Sequence, residues 1–400
     1  MTSTTAADVF KAGVLAARLE RAAVGVEFSY LPGYLERGGP AIASTLPATP
    51  DPILLRSGAV PAFFAGLLPE GRRLTVLRTN LKTSADDELS LLLAVGSDTV
   101  GDVQVVPAGA RPDPASDSLT VTTSFDEVSF AELAGQTGIR VTPRLAGVQD
   151  KISAKMISVP VGDGNARYIL KLNPPEYPHL VENEATFLEL ARTNRMPVPA
   201  SRIVHDRDNQ PGLLVTRFDR EWDHGEMRML AVEDACQAMG RWPADKYNVT
   251  MEDATSALLA LTPARPVAAQ ELLRQLAFAW LTGNGDLHAK NMAVLNQSGV
   301  GQRISPAYDL PSTLFYGDTT LALTVGGKDT LSAARLTAFA NELRLPQKAA
   351  RRTIAQALDA TRDLAARLDT GQLPFDRNTA DKVIRQLAAR HREIERAVAE

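Results

Sequence analysis

Between residues 283 and 313 the chain runs GNGDLHAKNMAVL and, after a short gap, ISPAYDLPST, and no other stretch restricts the fold as tightly. Asp286 and Asn291 stand five apart in a polar loop, and Asp309 follows eighteen residues later. Met292 to Leu295 is an apolar run directly after that loop, and a second run around Ile304 has the pattern of its hairpin partner. Loop, hairpin and second loop in this order bring Asn291 and Asp309 to neighbouring strand ends, so three oxygen-bearing side chains converge. A lone Asp-x4-Asn is common in loops, where such residues satisfy backbone amides. Its GDLHAKN setting, the strand behind it and the second Asp set this one apart.

Phosphoryl transfer asks for one carboxylate near an acceptor hydroxyl and for oxygen ligands that hold Mg²⁺ against the β- and γ-phosphates. Asp286, Asn291 and Asp309 fill those places in turn, with the spacing and order of a kinase catalytic loop and its later metal-binding Asp. His288 suits a residue that orients the loop by hydrogen bonds; no second His or Cys sits at zinc-ligand spacing. Lys290 fits either a cation that neutralises the transferred phosphate or a solvated charge.

A nucleotide also needs a cationic anchor. Lys171, in the apolar strand ARYILKL ahead of an acidic helix, has that position, and Glu184 is its expected helix partner. Glu182 competes, but the two project from different helix faces, so at most one meets the lysine. The loop from Leu145 to Lys151 stands where a phosphate lid is expected. It holds a single glycine, Gly147, so Gln149 and Lys151 have to assist its amides. In GLLVTRFDR, an apolar strand ending in charge, Thr216 to Phe218 are placed to offer backbone groups to adenine.

The 400 residues, 44% apolar and 22% charged, are enough for two or three domains. Residues 1–107 form a small α+β unit with helices over 59–68 and 87–95, and the Pro- and Ser-rich stretch 108–118 is a linker. Residues 119–220 hold the strands 152–161, 166–172, 201–205 and 212–218 and the helix 181–195; residues 221–400 are mostly helical. Three amphipathic helices, interrupted near Pro346 and Pro374, follow Ser332. The fold class is therefore α+β: a protein-kinase-like, two-lobed fold with an added N-terminal α+β subdomain and a helical C-terminal lobe. A formal charge of −4 gives no electrostatic footprint for nucleic acid, so any contact with DNA belongs to a partner. One cysteine, Cys236, excludes a disulfide framework, and the absence of a basic leader or a long apolar span predicts a cytoplasmic, membrane-free protein.

FSYLPGYL, the LLPEG of Leu67 to Gly71, LLLAVGSDTVGDVQVVP, GVQDK, YILKL, the ENE of Glu182 to Glu184, TRFDR, EDACQAMG with Lys246-Tyr247, GDLHAKN and AYDL occur in that order. Together they resemble the HipA family, serine/threonine kinase toxins of bacterial type II toxin–antitoxin modules, over nearly the whole chain. The resemblance implies an ATP- and Mg²⁺-dependent protein kinase. It makes Ala146, Gly147, Val148, Gln149, Asp150 and Lys151 the ATP-phosphate loop, Lys171 an ATP ligand, and Thr216, Arg217 and Phe218 the hinge. Asp286 becomes the proton acceptor, His288 to Asn291 (Lys290 included) complete the catalytic loop, and Tyr308-Asp309 replaces D-F-G. It further implies a protein substrate, by family analogy a translation component, and a small helix-turn-helix, HipB-like antitoxin that carries the contact with DNA.

Two departures stand out. Thr216 occupies the place of the glutamate in the family's E-R-F-D-R. The stretch RVTPRL from Arg140 to Leu145 has no serine for self-phosphorylation, and Thr142 is the only hydroxyl there. Aminoglycoside- or choline-type small-molecule kinases share the GDLHAKN pattern but not LLPEG or GVQDK. An inactive kinase-fold module that tethers a DNA-binding partner is opposed by the retention of Asp286, Asn291, Asp309 and Lys171.

Overall fold

In a computed structural model, residues 6–56, 58–84, 86–113, 119–120, 124–136, 156–162, 166–223, 226–297 and 299–399 are described. Five short strands open the chain: β1 Ala6–Lys11, β2 Val14–Ala22, β3 Gly25–Tyr30, β4 Ile53–Arg56 and, after three helices, β5 Val103–Pro107. They pair antiparallel in the spatial order β4-β3-β2-β1-β5. Their buried side chains, among them Leu19, Val26 and Phe28, pack with Phe64, Leu89 and Leu92 of the helices Ala62–Gly66 and Glu88–Val95. The first helix is shorter than the expected 59–68 because Pro61 stands at its N-cap and the chain leaves helical geometry before Pro69. A third helix, Gly71–Leu81, lies between them and had no counterpart in the sequence expectations. It carries no fully buried side chain, so its apolar pattern is weak.

A second sheet combines β6 Leu119–Thr120, β7 Ile157–Gly162, β8 Arg167–Leu172, β9 Ser201–His205 and β10 Pro211–Thr216 in the order β6-β7-β8-β10-β9. Alternation along β10 sends Leu214 into one core with Leu170 and Leu172, and Leu213 and Val215 into another with Phe187 and Leu188 of the helix Leu180–Thr193. That helix stops at Thr193 rather than 195, ahead of Arg195 at φ 58°.

Beyond it come the hairpin β11 Arg220–Asp223 and β12 Glu226–Met229, and the three-stranded sheet β13 Val232–Asp234, β14 Ala293–Gln297 and β15 Gly301–Ile304. The helix Arg265–Thr282 is buried on several faces and forms the axis of the C-terminal lobe. Four helices, not three, follow Ser332: Ala333–Glu342, Gln347–Thr361, Leu364–Asp369 and Arg377–Ala399. The additional break falls at Arg362 and Asp363, where no proline or glycine marks it. No described helix is long and apolar enough to cross a membrane.

Candidate active site

Period-two alternation in β8 buries Leu170 and Leu172 in the sheet's own core and turns Ile169 and Lys171 into the cleft between the lobes. Lys171 is 8% exposed, and its Nζ lies 2.7 Å from Oε1 of Glu184 and is also paired with Asp309. Glu182 faces elsewhere and accepts from Asn173 Nδ2 at 3.1 Å. Burial alone would lower the lysine's pKa; the carboxylates of Asp309 and Glu184 outweigh it and hold the ammonium charged, above its ordinary range. Burial pushes Glu184 up, and Asp309 adds to the push against the pull of Lys171. Two carboxylates thus share one ammonium.

The loop that carries Asp286 begins where Arg265–Thr282 ends, at Gly283 with φ 74°. A side chain there would meet Leu314 Cδ1 at 2.4 Å, and one at Gly285 would meet Thr320 O at 2.5 Å, so this turn fits only with glycines. Asp286 is fully buried. Tyr247 donates its hydroxyl to Asp286 Oδ1 at 2.9 Å. The Asp286 carbonyl accepts from His288 N at 2.8 Å and from Asn291 Nδ2 at 2.9 Å. Asn291 commits its amide nitrogen in this way, which leaves Oδ1 as the atom it would offer a cation. Asn284 ties the two acidic loops together: its Oδ1 accepts from Asp286 N at 2.8 Å and its Nδ2 donates to Asp309 O at 3.2 Å.

Asn291 does directly precede β14, but Asp309 lies in the loop beyond β15 rather than at its end, at φ 53°, a left-handed conformation that Asp tolerates better than most residues. His288 packs edge-on against the Tyr247 ring at 5.0 Å, and its buried Nδ1 has no hydrogen-bond partner among the described residues, so ring packing rather than a bond from that nitrogen holds it; burial keeps its pKa below the ordinary value.

Lys290 is not a solvated charge. It pairs with Glu70 at 2.9 Å and donates to Gly66 O at 3.0 Å, both from the N-terminal unit, and Lys246 pairs with the same glutamate. Tyr308 donates to Lys290 O at 2.7 Å and stacks on Phe218 at 5.4 Å. The hinge expectation narrows, because Thr216 N donates to Ala200 O and Arg217 N to Arg167 O, leaving neither amide for adenine. The Arg217 side chain is held by Asp98, Asp219 and Thr99 O. Residues Ala146, Gly147, Val148, Gln149, Asp150 and Lys151, and Thr142 with them, lie outside the described residues.

The cleft has a volume of about 350 Å³, ordinary for a small-molecule site, and is walled by Leu67 and Leu68 of the N-terminal unit, Met156, Ile169, Val215 and Phe218, with Lys171, Asp234 and Asp309 inside. Its acid corner combines Asp309 and Glu184, hard oxygen donors of the kind Mg²⁺ takes, and Asn284 links the Asp309 loop to the one that carries Asn291. The excess of carboxylate over ammonium there fits an added cation. Tyr247 and Asn284 went unassigned on sequence. Both stood inside quoted motifs, and only their hydrogen bonds reveal what they hold.

Two family profiles match the chain: a HipA-like C-terminal domain over residues 144–365 and a HipA N-terminal domain over residues 7–106. Y4dM of Sinorhizobium fredii, named a kinase, is 32% identical over 66% of this chain, and the match spans 65% of that protein, just under two thirds. The serine/threonine-protein kinase toxin HipA of Shewanella oneidensis is 31% identical over 73% of each chain. A solved structure of HipA from Shewanella oneidensis, described with HipB and its operator DNA, superposes with a TM-score of 0.76 at 23% identity, covering 98% of this chain and 99% of the other.

Proposed function

The chain belongs to the HipA family of kinases, and from that premise we propose that it transfers the γ-phosphoryl group of ATP to a serine or threonine hydroxyl of a host protein, as the toxin of a toxin–antitoxin module. One observation carries the reading: Lys171, Glu184 and Asp309, brought together across 138 residues of sequence, line one cleft, and Asn284 ties the Asp309 loop to the loop that holds the buried Asp286. Lys171 binds the nucleotide phosphates, and Glu184 fixes its direction. Asp286 takes the proton of the acceptor hydroxyl as the new oxygen–phosphorus bond forms and the bond to the β-phosphate oxygen breaks, releasing ADP. Asp309 and Asn291 would hold Mg²⁺, which would supply neutralisation of the phosphate charge during transfer.

The division into residues 1–107, 108–118, 119–220 and 221–400, a cytoplasmic location and a translation component as substrate belong to the same proposal. So does a small HipB-like helix-turn-helix partner. The Shewanella oneidensis complex joins HipA, HipB and operator DNA, and a formal charge of −4 leaves DNA contact here to such a partner. Incubation with γ-labelled ATP, Mg²⁺ and host lysate should label one or a few protein bands with wild type and none with Asp286→Ala. Label confined to a small metabolite would favour a small-molecule kinase, and none at all a binding module. Asp309→Ala should abolish turnover; turnover within about tenfold of wild type would remove its assigned metal role.

A further inference from the structure

Glu70 lies in the N-terminal unit, in the strip that leaves the helix Ala62–Gly66 and runs along the cleft wall. Its carboxylate meets two lysines of the C-terminal lobe, Lys246 and Lys290, whose side chains are 10% and 12% exposed. The strip is held at further points: Phe63 O accepts from Gln237 Nε2 at 3.0 Å and Gly66 O from Lys290 Nζ at 3.0 Å.

Both lysines border the machinery. Lys246 directly precedes Tyr247, whose hydroxyl holds Asp286, and its carbonyl accepts from Ala289 N at 3.2 Å inside the catalytic loop. Lys290 directly precedes Asn291, the expected metal ligand. One carboxylate therefore secures the loop from both sides, and without it two ammonium groups that share a partner would be left facing each other in a confined space.

We infer that Glu70 is a positioning residue for phosphotransfer: from the N-terminal unit it sets, through Lys246 and Lys290, the geometry in which Asp286 and Asn291 act. The inference rests on the kinase reading above and adds to it a residue outside both kinase lobes. Glu70 touches no reacting atom, so its loss acts on turnover more than on nucleotide binding.

The test uses the full chain, with E70Q, E70D and the triple variant E70Q/K246Q/K290Q. E70Q should lower kcat about tenfold or more while KM for ATP and the affinity for ADP stay within about twofold, because small misplacements of a catalytic group are costly. E70D should recover most of the loss. With K246Q and K290Q measured alongside, the triple variant should lose less than the three single effects combined, since they report one cluster. Turnover of E70Q within twofold of wild type, or a loss that E70D does not relieve, overturns the inference. Hydrogen exchange separates its failure from that of the kinase reading. In E70Q the amides of His288 and Asn291 should exchange faster while those of Arg167–Leu172 do not change. If wild type transfers no phosphate, the kinase reading falls and the exchange result alone decides whether Glu70 holds the loop; unchanged exchange overturns that too.

Discussion

Asp286 is oriented by a tyrosine that no motif assigns. The Tyr247 hydroxyl reaches Asp286 Oδ1 at 2.9 Å, and burial together with that carboxylate raises the phenol's pKa, so it remains a donor at any working pH. A hydrogen bond to a buried carboxylate contributes roughly 1.5–3 kcal/mol, and its loss frees the carboxylate to rotate. Tyr247→Phe should therefore lower kcat by about tenfold with little effect on KM for ATP, read from steady-state labelling at saturating nucleotide. Unchanged kcat would remove Tyr247 from the site. Lys171, Glu184, Asp286 and Asp309 were legible because each sits in a local pattern: a polar residue in an apolar strand, an acid on one helix face, a carboxylate in a glycine turn. Tyr247 was not, because its partner is 39 residues away and hydrogen bonds at that range leave no periodicity. The pairing of Lys290 left no local signal for a related reason: its counter-charge, Glu70, lies in another unit of the chain.

Strand and helix bounds came through the sequence well where a turn-forming run flanks the element, as after Ser201–His205, and less well where a boundary depends on tertiary contact. The break between Gln347–Thr361 and Leu364–Asp369 is one such boundary. The strip at Glu70 is another, since nothing in LLPEG announces a docked segment, yet it lies against the catalytic loop. Lys290 and Lys246 draw the Glu70 pKa down against burial, from 4.5 to about 2. A carboxylate with a depressed folded-state pKa contributes stability that is fully present above about 4.5 and is lost as pH falls toward 2. The stability difference between wild type and Glu70→Gln, followed by denaturant unfolding, should accordingly be constant from pH 7 to about 5 and shrink steadily below it. A difference that grows on acidification would contradict the pairing.

At the scale of the molecule, the sequence divides the chain at 108–118, and the structure joins what that division separates. Asp98, from the N-terminal unit, pairs with Arg217 at 2.9 Å and Arg220 at 2.7 Å, and both arginines also hold Asp219; none of the four side chains is more than 6% exposed. Thr99 O and Gly101 O accept further bonds from these arginines. Two cations and two anions, buried together and bonded on nearly every side, are close to balanced; removal of one anion is not. Asp98→Ala leaves an excess positive charge in this joint, at a cost of about 3–5 kcal/mol. Because the joint lies between units with separate cores, the loss should appear as an early unfolding transition of residues 6–107 ahead of the rest, where wild type unfolds in one. Calorimetry and hydrogen exchange on Asp98→Ala would read this directly. A single transition shifted by less than about 1 kcal/mol would mean that the glutamate strip and the apolar wall of the cleft hold the N-terminal unit in place without the arginine joint.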